Sequence, residues 1–224
     1  HYTDKLFRIK TERPRNFKFT AGEFTMIGFP EEKVKRAYSM TSGPYDDYIE
    51  FYSIKVPNGP LTSKLKHIEP GKLLYVGEKP TGTLTLAHLK LGGNLWLMAT
   101  GTGIAPFISL LRDPTTYDAF DNITVTWTVP YKKDLRAYDE FLKDCDITYF
   151  PTVTREEFKN QGRITKYIES GMWDHITPEN DKIMICGSMA FNTSMKEILL
   201  QKGYSEGNKR SEGSFTLEKA FVGD

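Results

Sequence analysis

The sequence predicts two domains: an N-terminal antiparallel β-barrel and a C-terminal α/β domain with a parallel sheet. Three observations support this prediction. Short aromatic and β-branched runs separated by Gly and Pro turns fill residues 1 to about 90, as in small barrels and sandwiches. After Leu91-Gly92-Gly93, apolar strand-like runs alternate with helical stretches, which is typical of a parallel sheet and puts the domains at 1–91 and 92–224. The 224 residues are 39% hydrophobic, which is enough to bury two cores.

In the N-terminal half, strands are predicted where aromatic and β-branched residues concentrate between turn residues. These segments are 6–10, 17–20, 24–29, 35–40, 48–56 and 73–76. One helix is predicted at 62–67, with Thr62 or Ser63 capping its start, because a hydroxyl can accept from the first free amides. In the C-terminal half, the predicted strands are 95–99, 123–129, 147–150 and 182–186, and the predicted helices are about 105–112, 137–143, 163–169 and 190–201.

Charge and cysteine content narrow the class of function. With 30 basic and 29 acidic residues the net charge is +1, which argues against bulk binding to nucleic acid or to a membrane surface. Two cysteines, Cys145 and Cys186, are too few for a disulfide framework or a four-thiolate metal site, and they fit a reducing, cytoplasmic setting. No apolar run approaches the roughly 20 residues of a membrane span. A monomer is the default expectation.

The segment Arg36-Ala37-Tyr38-Ser39 carries groups that suit a phosphate-bearing aromatic cofactor. Strand alternation puts Arg36 and Tyr38 on one face, with Ser39 on the other face or at the bend. A guanidinium can bind phosphate oxygens, a phenol ring offers a stacking surface, and a hydroxyl can donate to a ring nitrogen. Taken alone, the segment favours an ordinary strand with a surface arginine and a half-buried tyrosine.

A second candidate is the turn 57–60 together with the hydroxyl-capped helix after it. A strand that leads into a glycine turn and a helix leaves free backbone N–H groups at the helix start, where a pyrophosphate can bind. In isolation, a routine loop explains this segment better.

A third candidate is the Thr-Gly-Thr-Gly turn at 100–103, which follows an apolar run and opens a helix with Pro106 in its first turn. Paired glycines let the backbone approach a pyrophosphate, and the helix directs its positive end there. Strand, turn and helix arrive in order, so the signal is stronger than a lone Gly-x-Gly. Pro106 stands where the usual dinucleotide fingerprint has a third glycine.

A fourth candidate is Cys186-Gly187-Ser188, at the end of the strand 182–186. Ligands in open α/β sheets bind at the carboxyl ends of strands, and a small thiol followed by glycine leaves room for two flat rings. The alternative is that Cys186 is a small buried hydrophobic residue, as most free cysteines are, with a steric role rather than a nucleophilic one.

Two further segments could complete such a site. Arg155 and Arg163 flank a short loop and could clamp a ribose phosphate, which would select NADPH over NADH, although any soluble domain carries surface arginines. The apolar run Ala220-Phe221-Val222 is unusual in a tail unless it docks, and it could cover a flavin or its adenine.

Taken together and in this order, the motifs resemble the bacterial ferredoxin (flavodoxin)–NADP reductase family over about residues 24–224. The resemblance implies a barrel that binds FAD, an α/β domain that binds NADP, and electron transfer between NADPH and a ferredoxin or flavodoxin. The implied cofactor-binding residues are Arg36, Tyr38, Ser39, Tyr52, Ile54, Lys55, Gly59, Leu61, Thr62, Thr100, Gly101, Thr102, Gly103, Arg155, Arg163, Cys186, Gly187, Ala220, Phe221 and Val222. The implied catalytic residues are Ser39, Cys186, Ala220 and Phe221, and no metal ligand is expected.

The resemblance also implies individual roles. Arg36 would contact the flavin phosphates, Tyr38 would stack on the flavin ring, and Ser39 would approach the ring nitrogen N5. Arg155 and Arg163 would hold the 2′-phosphate of NADP. The remaining positions would line the flavin, the pyrophosphates or the nicotinamide nucleotide.

One departure from the family pattern bears on nucleotide choice. Many relatives carry another arginine after the second strand of the nucleotide domain, but here that stretch contains Pro130. Lys132 or Lys133 could substitute as point charges, without the bidentate geometry of arginine. The expected NADP preference therefore depends on fewer matching residues than flavin binding does.

The resemblance further implies an acidic partner protein and a tail that gates the flavin. Candidate basic contacts are Lys5, Lys10, Arg13, Arg15, Lys202, Lys209 and Arg210, although most such charges only solvate a surface. Ala220 and Phe221 would have to shift before a nicotinamide could stack on the flavin. Glu218 could relay a proton to the flavin.

Three other functions are compatible with parts of this pattern. A stand-alone NAD(P)H:flavin reductase would have the same two domains but would release its flavin. A reductase component of an oxygenase usually carries an iron–sulfur domain, which two cysteines cannot supply. A non-enzymatic nucleotide-binding module would purify as a colourless protein without diaphorase activity.

Overall fold

The N-terminal half forms two small antiparallel sheets. The computed structural model describes residues 1–56 and 58–220. Its first elements are β1 (Leu6–Glu12), β2 (Phe24–Gly28), β3 (Lys35–Ser39), β4 (Tyr48–Ile54), the helix α1 (Thr62–Leu65) and β5 (Tyr75–Val76). Strand β1 pairs with β4, and β2 lies between β3 and β5. An isolated antiparallel bridge between Met40 and Phe51 joins the two sheets.

Both sheets contribute side chains to one apolar core. Phe7 and Ile9 of β1 are buried together with Ile27 of β2 and Phe51 of β4. Because successive side chains of a strand point to opposite faces, Arg8 is exposed between the two buried residues of β1. The antiparallel N-terminal half is therefore confirmed.

The C-terminal half is built around a five-stranded parallel sheet, which is also confirmed. Its strands are β6 (Asn94–Thr100), β7 (Asn122–Val129), β8 (Thr148–Val153), β9 (Asp181–Gly187) and β10 (Phe215–Lys219). Its helices are α2 (Ala105–Leu111), α3 (Pro114–Ala119), α4 (Asp139–Asp144), α5 (Ile164–Glu169) and α6 (Met189–Gln201). Short 3-10 helices lie at Leu86–His88, Gly101–Ile104 and Lys132–Ala137.

The order of the strands decides where a ligand can bind. The sheet runs β10-β9-β6-β7-β8, so the chain leaves the central strand β6 toward β7 and later returns to β9 on the other side. Ligands of open α/β sheets bind beyond the carboxyl ends of the strands at such a reversal point. The turn Gly101–Ile104 after β6 and the end of β9 meet there.

Several elements differ from the prediction. Residues 17–20 are not a strand, although Phe17 and Phe19 are buried as the alternation predicts. The backbone turns just before this segment, since the Phe17 amide donates to the Pro14 carbonyl at 2.9 Å. The strand predicted at 73–76 contains only two paired residues. The prediction also missed α3, which is a single short helix, and β10, which ends directly before the apolar run 220–222 that was interpreted as a docking tail.

Candidate functional site

A cavity of about 390 Å³, here called the first cavity, lies where the two halves meet. One side of the cavity is formed by β3, β4 and the turn before α1. The opposite side is formed by the turn after β6 and the ends of β9 and β10. The predicted site residues in its lining are Arg36, Tyr38, Ser39, Tyr52, Ile54, Gly59, Leu61, Thr62, Thr102, Gly103, Cys186 and Ala220. The fold thus brings residues from separate motifs into one cavity.

On the β3 wall, Tyr38 is held by two contacts. Its hydroxyl lies 2.9 Å from Ser53 Oγ, and its ring stands edge-on to the Phe51 ring with centroids 6.2 Å apart. Burial raises the pKa of the Tyr38 phenol, and the hydrogen bond with Ser53 opposes part of that rise. The phenol therefore stays neutral near pH 7. Arg36 is exposed beside it, and its guanidinium donates to the Lys35 carbonyl at 3.0 Å. This wall therefore offers a fixed flat surface and a nearby positive charge.

The turn before α1 uses its hydroxyl groups differently from the prediction. Helix α1 begins at Thr62, and no side chain caps it among the residues that the structure describes. Instead, Thr62 Oγ1 accepts from the Val56 amide at 3.2 Å, and Ser63 Oγ donates to the Gly59 carbonyl at 2.7 Å. The Ser63 amide also donates to that carbonyl, at 3.3 Å. The predicted cap is wrong, because both hydroxyls close the turn, and the Ser63 amide is not free for an anion.

The turn after β6 leaves no space for a side chain at Gly103. A Cβ atom on Gly103 would lie 2.1 Å from the Cys186 carbonyl oxygen, so only glycine lets the turn approach β9 this closely. Gly101 has a φ of +53°, in the left-handed region that favours glycine. Trp127, on β7, donates from Nε1 to the Gly101 carbonyl at 2.8 Å. The glycine turn is therefore fixed between its two neighbouring strands.

The end of β9 packs directly on the end of β6. Cys186 is 3% exposed, and burial raises the pKa of its thiol, so the sulfur stays protonated. A protonated thiol is a poor nucleophile, which supports a steric role for Cys186 rather than a nucleophilic one. A Cβ atom on Gly187 would lie 2.3 Å from Thr100 Oγ1. That same oxygen accepts from the Ser188 amide at 3.1 Å.

Strand β10 completes the first cavity. The Ala220 amide donates to the Gly187 carbonyl at 2.9 Å, and Asn192 Nδ2 donates to the Glu218 carbonyl at 2.8 Å. The Glu218 carboxylate accepts from the Thr83 amide and, at 3.0 Å, from the Thr83 hydroxyl. Burial raises the pKa of Glu218, and the bonds from Thr83 oppose that rise. Glu218 lines the cavity and also ties β10 to the N-terminal half.

A second cavity, of about 720 Å³, lies beyond the carboxyl ends of β6 and β7. The predicted site residues in its lining are Tyr52, Ile54, Thr100, Gly101, Thr102, Arg155 and Arg163. Both arginines have exposed side chains, as suits residues that meet a ligand from solvent.

Beside these arginines, Lys133 also lines the second cavity, and its ammonium lies 5.7 Å from the centroid of the Tyr131 ring. The lining also includes Pro130. Lys132 is outside it, and its amide donates to the Glu156 carboxylate. Of the two lysines considered as substitutes for an arginine, Lys133 is therefore the one at the cavity.

The two cavities share a wall. Tyr52 and Ile54 of β4 and Thr102 of the glycine turn line both of them. Tyr52 is only 3% exposed, so this shared wall lies within the protein interior. A flat molecule in one cavity and a flat molecule in the other would meet at this wall.

Some predicted site residues are placed elsewhere. Among the described residues, Lys55 and Gly187 are the predicted positions that line neither cavity. Lys55 directly follows β4, and its amide donates at 2.7 Å to the carbonyl of Lys5, the residue before β1. Gly187 acts through close backbone approach. Phe221 and Val222 lie outside the described residues.

The prediction also missed two segments of the second cavity. Residues 3–6 line it without carrying any recognisable motif, so no local signal could have found them. The other segment is the start of α6, where Ala190, Phe191 and Ser194 line the cavity after Ser188 of the fourth candidate, whose Oγ accepts from the Phe191 amide at 3.3 Å. A serine just before a helix is a readable N-cap, and this signal was available in the sequence.

Two other kinds of site are not found in the part of the chain that the structure describes. Over residues 1–56 and 58–220, no group of three or more His, Cys, Asp or Glu side chains could hold a metal ion. None of the helices in these residues combines the length and the apolar character that a bilayer crossing requires.

The chain is similar over its whole length to several known proteins. An oxidoreductase NAD-binding domain family matches residues 97–197. The ferredoxin–NADP reductase A of Sorangium cellulosum is 42% identical, over 100% of this chain and 88% of the relative. A flavodoxin/ferredoxin–NADP reductase of Rhodobacter capsulatus is also 42% identical, over 100% of this chain and 91% of the relative. The crystal structure of a Neisseria gonorrhoeae ferredoxin NADP+ reductase with bound FAD and NADP superposes with a TM-score of 0.92 at 28% identity, covering 99% of this chain and 95% of that one.

Proposed function

Because this chain belongs to the ferredoxin/flavodoxin–NADP reductase family, as relatives that are 42% identical over all of it show, we propose that it transfers electrons between NADPH and a one-electron carrier protein through FAD. The first cavity would hold the flavin, and the second would hold the NADP. Bound FAD supplies the chemistry that joins a two-electron donor to a one-electron acceptor. In this proposal, residues 1–91 form the FAD-binding domain and residues 92–224 form the NADP-binding domain.

The wall shared by the two cavities is the observation that carries the proposal. Tyr52, Ile54 and Thr102 line both, so a nicotinamide and a flavin would need to move only a short distance to stack. Electron-pair transfer between two rings requires the protein to bring their reactive atoms into contact and to keep water out.

Five residues of the first cavity would act on the flavin. Tyr38 presents the fixed ring on which it could stack, and the Ser39 hydroxyl beside it could donate to a ring nitrogen. Arg36 would bind the phosphates with its exposed guanidinium. Cys186, which is buried and protonated, would pack against the ring rather than attack it. Ala220 would close the opposite face.

Three cations of the second cavity would recognise the 2′-phosphate of NADP. Arg155 and Arg163 can form paired hydrogen bonds to phosphate oxygens, and Lys133 would add a point charge. Pro130 lines the same cavity where many relatives have an arginine, so Lys133 would compensate in charge but not in bidentate geometry.

An acidic ferredoxin or flavodoxin would be the partner, in a cytoplasmic setting and with the reductase as a monomer. Arg13 suits such docking least, because its guanidinium donates to the carbonyls of Phe17, Pro44 and Asp46 and so holds two loops together. The remaining candidates are Lys5, Lys10, Arg15, Lys202, Lys209 and Arg210.

The absorption spectrum of the purified protein tests the proposal. We expect a yellow protein that releases FAD on denaturation and whose flavin is bleached by NADPH without oxygen. Tyr38→Ala should lose most of the flavin, because the stacking surface is removed. Tyr45→Ala is the matched control, since that ring is 76% exposed and lines neither cavity.

Two results would contradict the proposal. A colourless protein without diaphorase activity would indicate a nucleotide-binding module. A protein that binds flavin only as a dissociable substrate would indicate a stand-alone flavin reductase.

The tail is expected to gate the first cavity. Removing residues 220–224 should lower the KM for NADPH severalfold and change the rate of flavin reduction, because Ala220 closes the cavity where a nicotinamide would enter. Removing only 222–224 is the control, since it retains Ala220. Stopped-flow absorbance with NADPH measures both quantities, and identical kinetics for the full chain and the 220–224 deletion would refute the gate.

A further inference from the structure

The buried carboxylate of Glu50 joins the two halves of the molecule. Glu50 lies on β4, and its side chain is 3% exposed. Its Oε1 accepts from the Thr41 hydroxyl at 2.9 Å and from the Tyr138 hydroxyl at 3.3 Å, and it lies 3.5 Å from Arg112 Nη1. Its Oε2 lies 3.3 Å from Arg8 Nη1.

The partners of Glu50 come from both halves. Thr41 and Arg8 belong to the N-terminal half, whereas Arg112 directly follows α2 and Tyr138 directly precedes α4 in the C-terminal half. The Arg112 guanidinium is 18% exposed and also lies 3.7 Å from Asp46 Oδ2. A buried charge of this kind is expensive to desolvate and is favourable only when several partners surround it, so it fixes one geometry rather than many.

Two neighbouring contacts hold the same junction. Ser109 Oγ, on α2, donates to the Ser42 carbonyl at 2.7 Å, and both residues are fully buried. Gly43 packs so closely on Arg112 that a Cβ atom there would lie 2.9 Å from the Arg112 Cβ. The loop that follows β3 is thus fixed to the end of α2.

Helix α2 and the Tyr138 ring connect the partners of Glu50 to the cavities. Helix α2 begins at Ala105, which lines the first cavity, and ends beside Arg112. The Tyr138 ring stands edge-on to the Tyr52 ring, with centroids 5.3 Å apart and an interplanar angle of 86°. Tyr52 lies two residues after Glu50 on β4 and lines both cavities.

We infer that Glu50 is a positioning residue: its carboxylate holds α2 and Tyr138 against β4 and so sets how the two cavities face each other across Tyr52. The inference builds on the proposed function, because facing cavities matter only if two rings must meet there. Glu50 touches neither cavity itself and acts through Arg112 and Tyr138.

The decisive variants are Glu50→Gln and Tyr138→Phe. Glu50→Gln keeps the shape but removes the charge that Arg112 and Arg8 face, and Tyr138→Phe keeps the ring but removes the hydroxyl. Tyr204→Phe is the matched control, because Tyr204 is also buried but its hydroxyl has no hydrogen-bond partner among the described residues. If Glu50→Gln does not fold, Tyr138→Phe decides the question.

Flavin reduction by NADPH and hydrogen exchange are measured together on the flavin-loaded protein. For Glu50→Gln we expect the limiting rate of flavin reduction and the amplitude of the long-wavelength charge-transfer band to fall about tenfold, the equivalent of about 1.4 kcal/mol, with little change in KM. Tyr138→Phe should show a smaller loss of the same kind, and Tyr204→Phe should show none. Amide exchange should rise at 41–43 and 109–113 but not in the centre of β6.

The outcomes separate this inference from the proposed function. Normal rates and band amplitude in both Glu50→Gln and Tyr138→Phe would overturn the positioning role, as would equal losses in Tyr138→Phe and Tyr204→Phe. A wild-type protein that does not react with NADPH would instead overturn the proposed function. In that case the exchange at 41–43 still shows whether Glu50 joins the two halves.

Discussion

Gly103→Ala should destabilise the protein by about 3 kcal/mol and lower the Tm by roughly 10 °C. The new Cβ would lie 2.1 Å from the Cys186 carbonyl oxygen and 2.6 Å from its carbonyl carbon, and both are backbone atoms of β9, an interior strand that cannot turn aside. The glycine turn and β9 would have to separate at the point where both cavities are built. Thermal unfolding followed by circular dichroism measures the loss, and flavin content should fall with it.

Gly101→Ala is the matched control for this prediction. It lies in the same turn, its φ is +53°, and a Cβ there would meet no atom within 4 Å. Only the left-handed backbone is then penalised, by about 1–2 kcal/mol. Equal losses for the two variants would mean that the close approach to Cys186 is not what constrains the turn.

The double variant Arg155→Gln, Arg163→Gln should raise the KM for NADPH about 100-fold and leave the KM for NADH nearly unchanged. Each charge-assisted contact to phosphate is worth about 1.5–3 kcal/mol, so each arginine contributes about tenfold or more. The limiting rate should change little, because the 2′-phosphate is remote from the reacting rings. Steady-state kinetics with both nucleotides gives the ratio.

Arg136→Gln serves as the control for this experiment. Arg136 is also exposed and close in sequence to Lys133, but it does not line the second cavity. A parallel loss with NADH would show that the two arginines support the fold of the cavity rather than select the phosphate. An unchanged KM for NADPH would show that the phosphate binds elsewhere.

Local sequence patterns located two walls of the first cavity. The order of strand, glycine turn and helix at 100–106 located the turn after β6, because a parallel sheet fixes where such a turn must lie. The segment Arg36-x-Tyr38-Ser39 located the β3 wall for a similar reason, since strand alternation determines which side chains share a face.

What the sequence did not reveal depends on partners that are distant along the chain. Because side chains alternate along a strand, Glu50 is expected to be exposed, since its neighbours on β4 are apolar. It is buried instead, because the hydroxyl of Tyr138, 88 residues away in sequence, donates to its carboxylate. Phe17 and Phe19 alternate as a strand would, but no strand within residues 1–56 and 58–220 pairs with them. Strand β10 is not recognisable from its own sequence, because all five of its residues pair with β9.

The hydrogen bond between Thr83 and Glu218 spans 135 residues of sequence. One wall of the first cavity therefore comes from β10, the last strand along the described chain, while its other walls come from residues between 24 and 105 and from Cys186. During refolding, the early antiparallel half can collapse around its own core, but no enclosed pocket exists until the edge of the parallel sheet is in place. Contacts between residues so distant in sequence form slowly. A molecule that binds in the pocket stabilises the state in which β10 is docked.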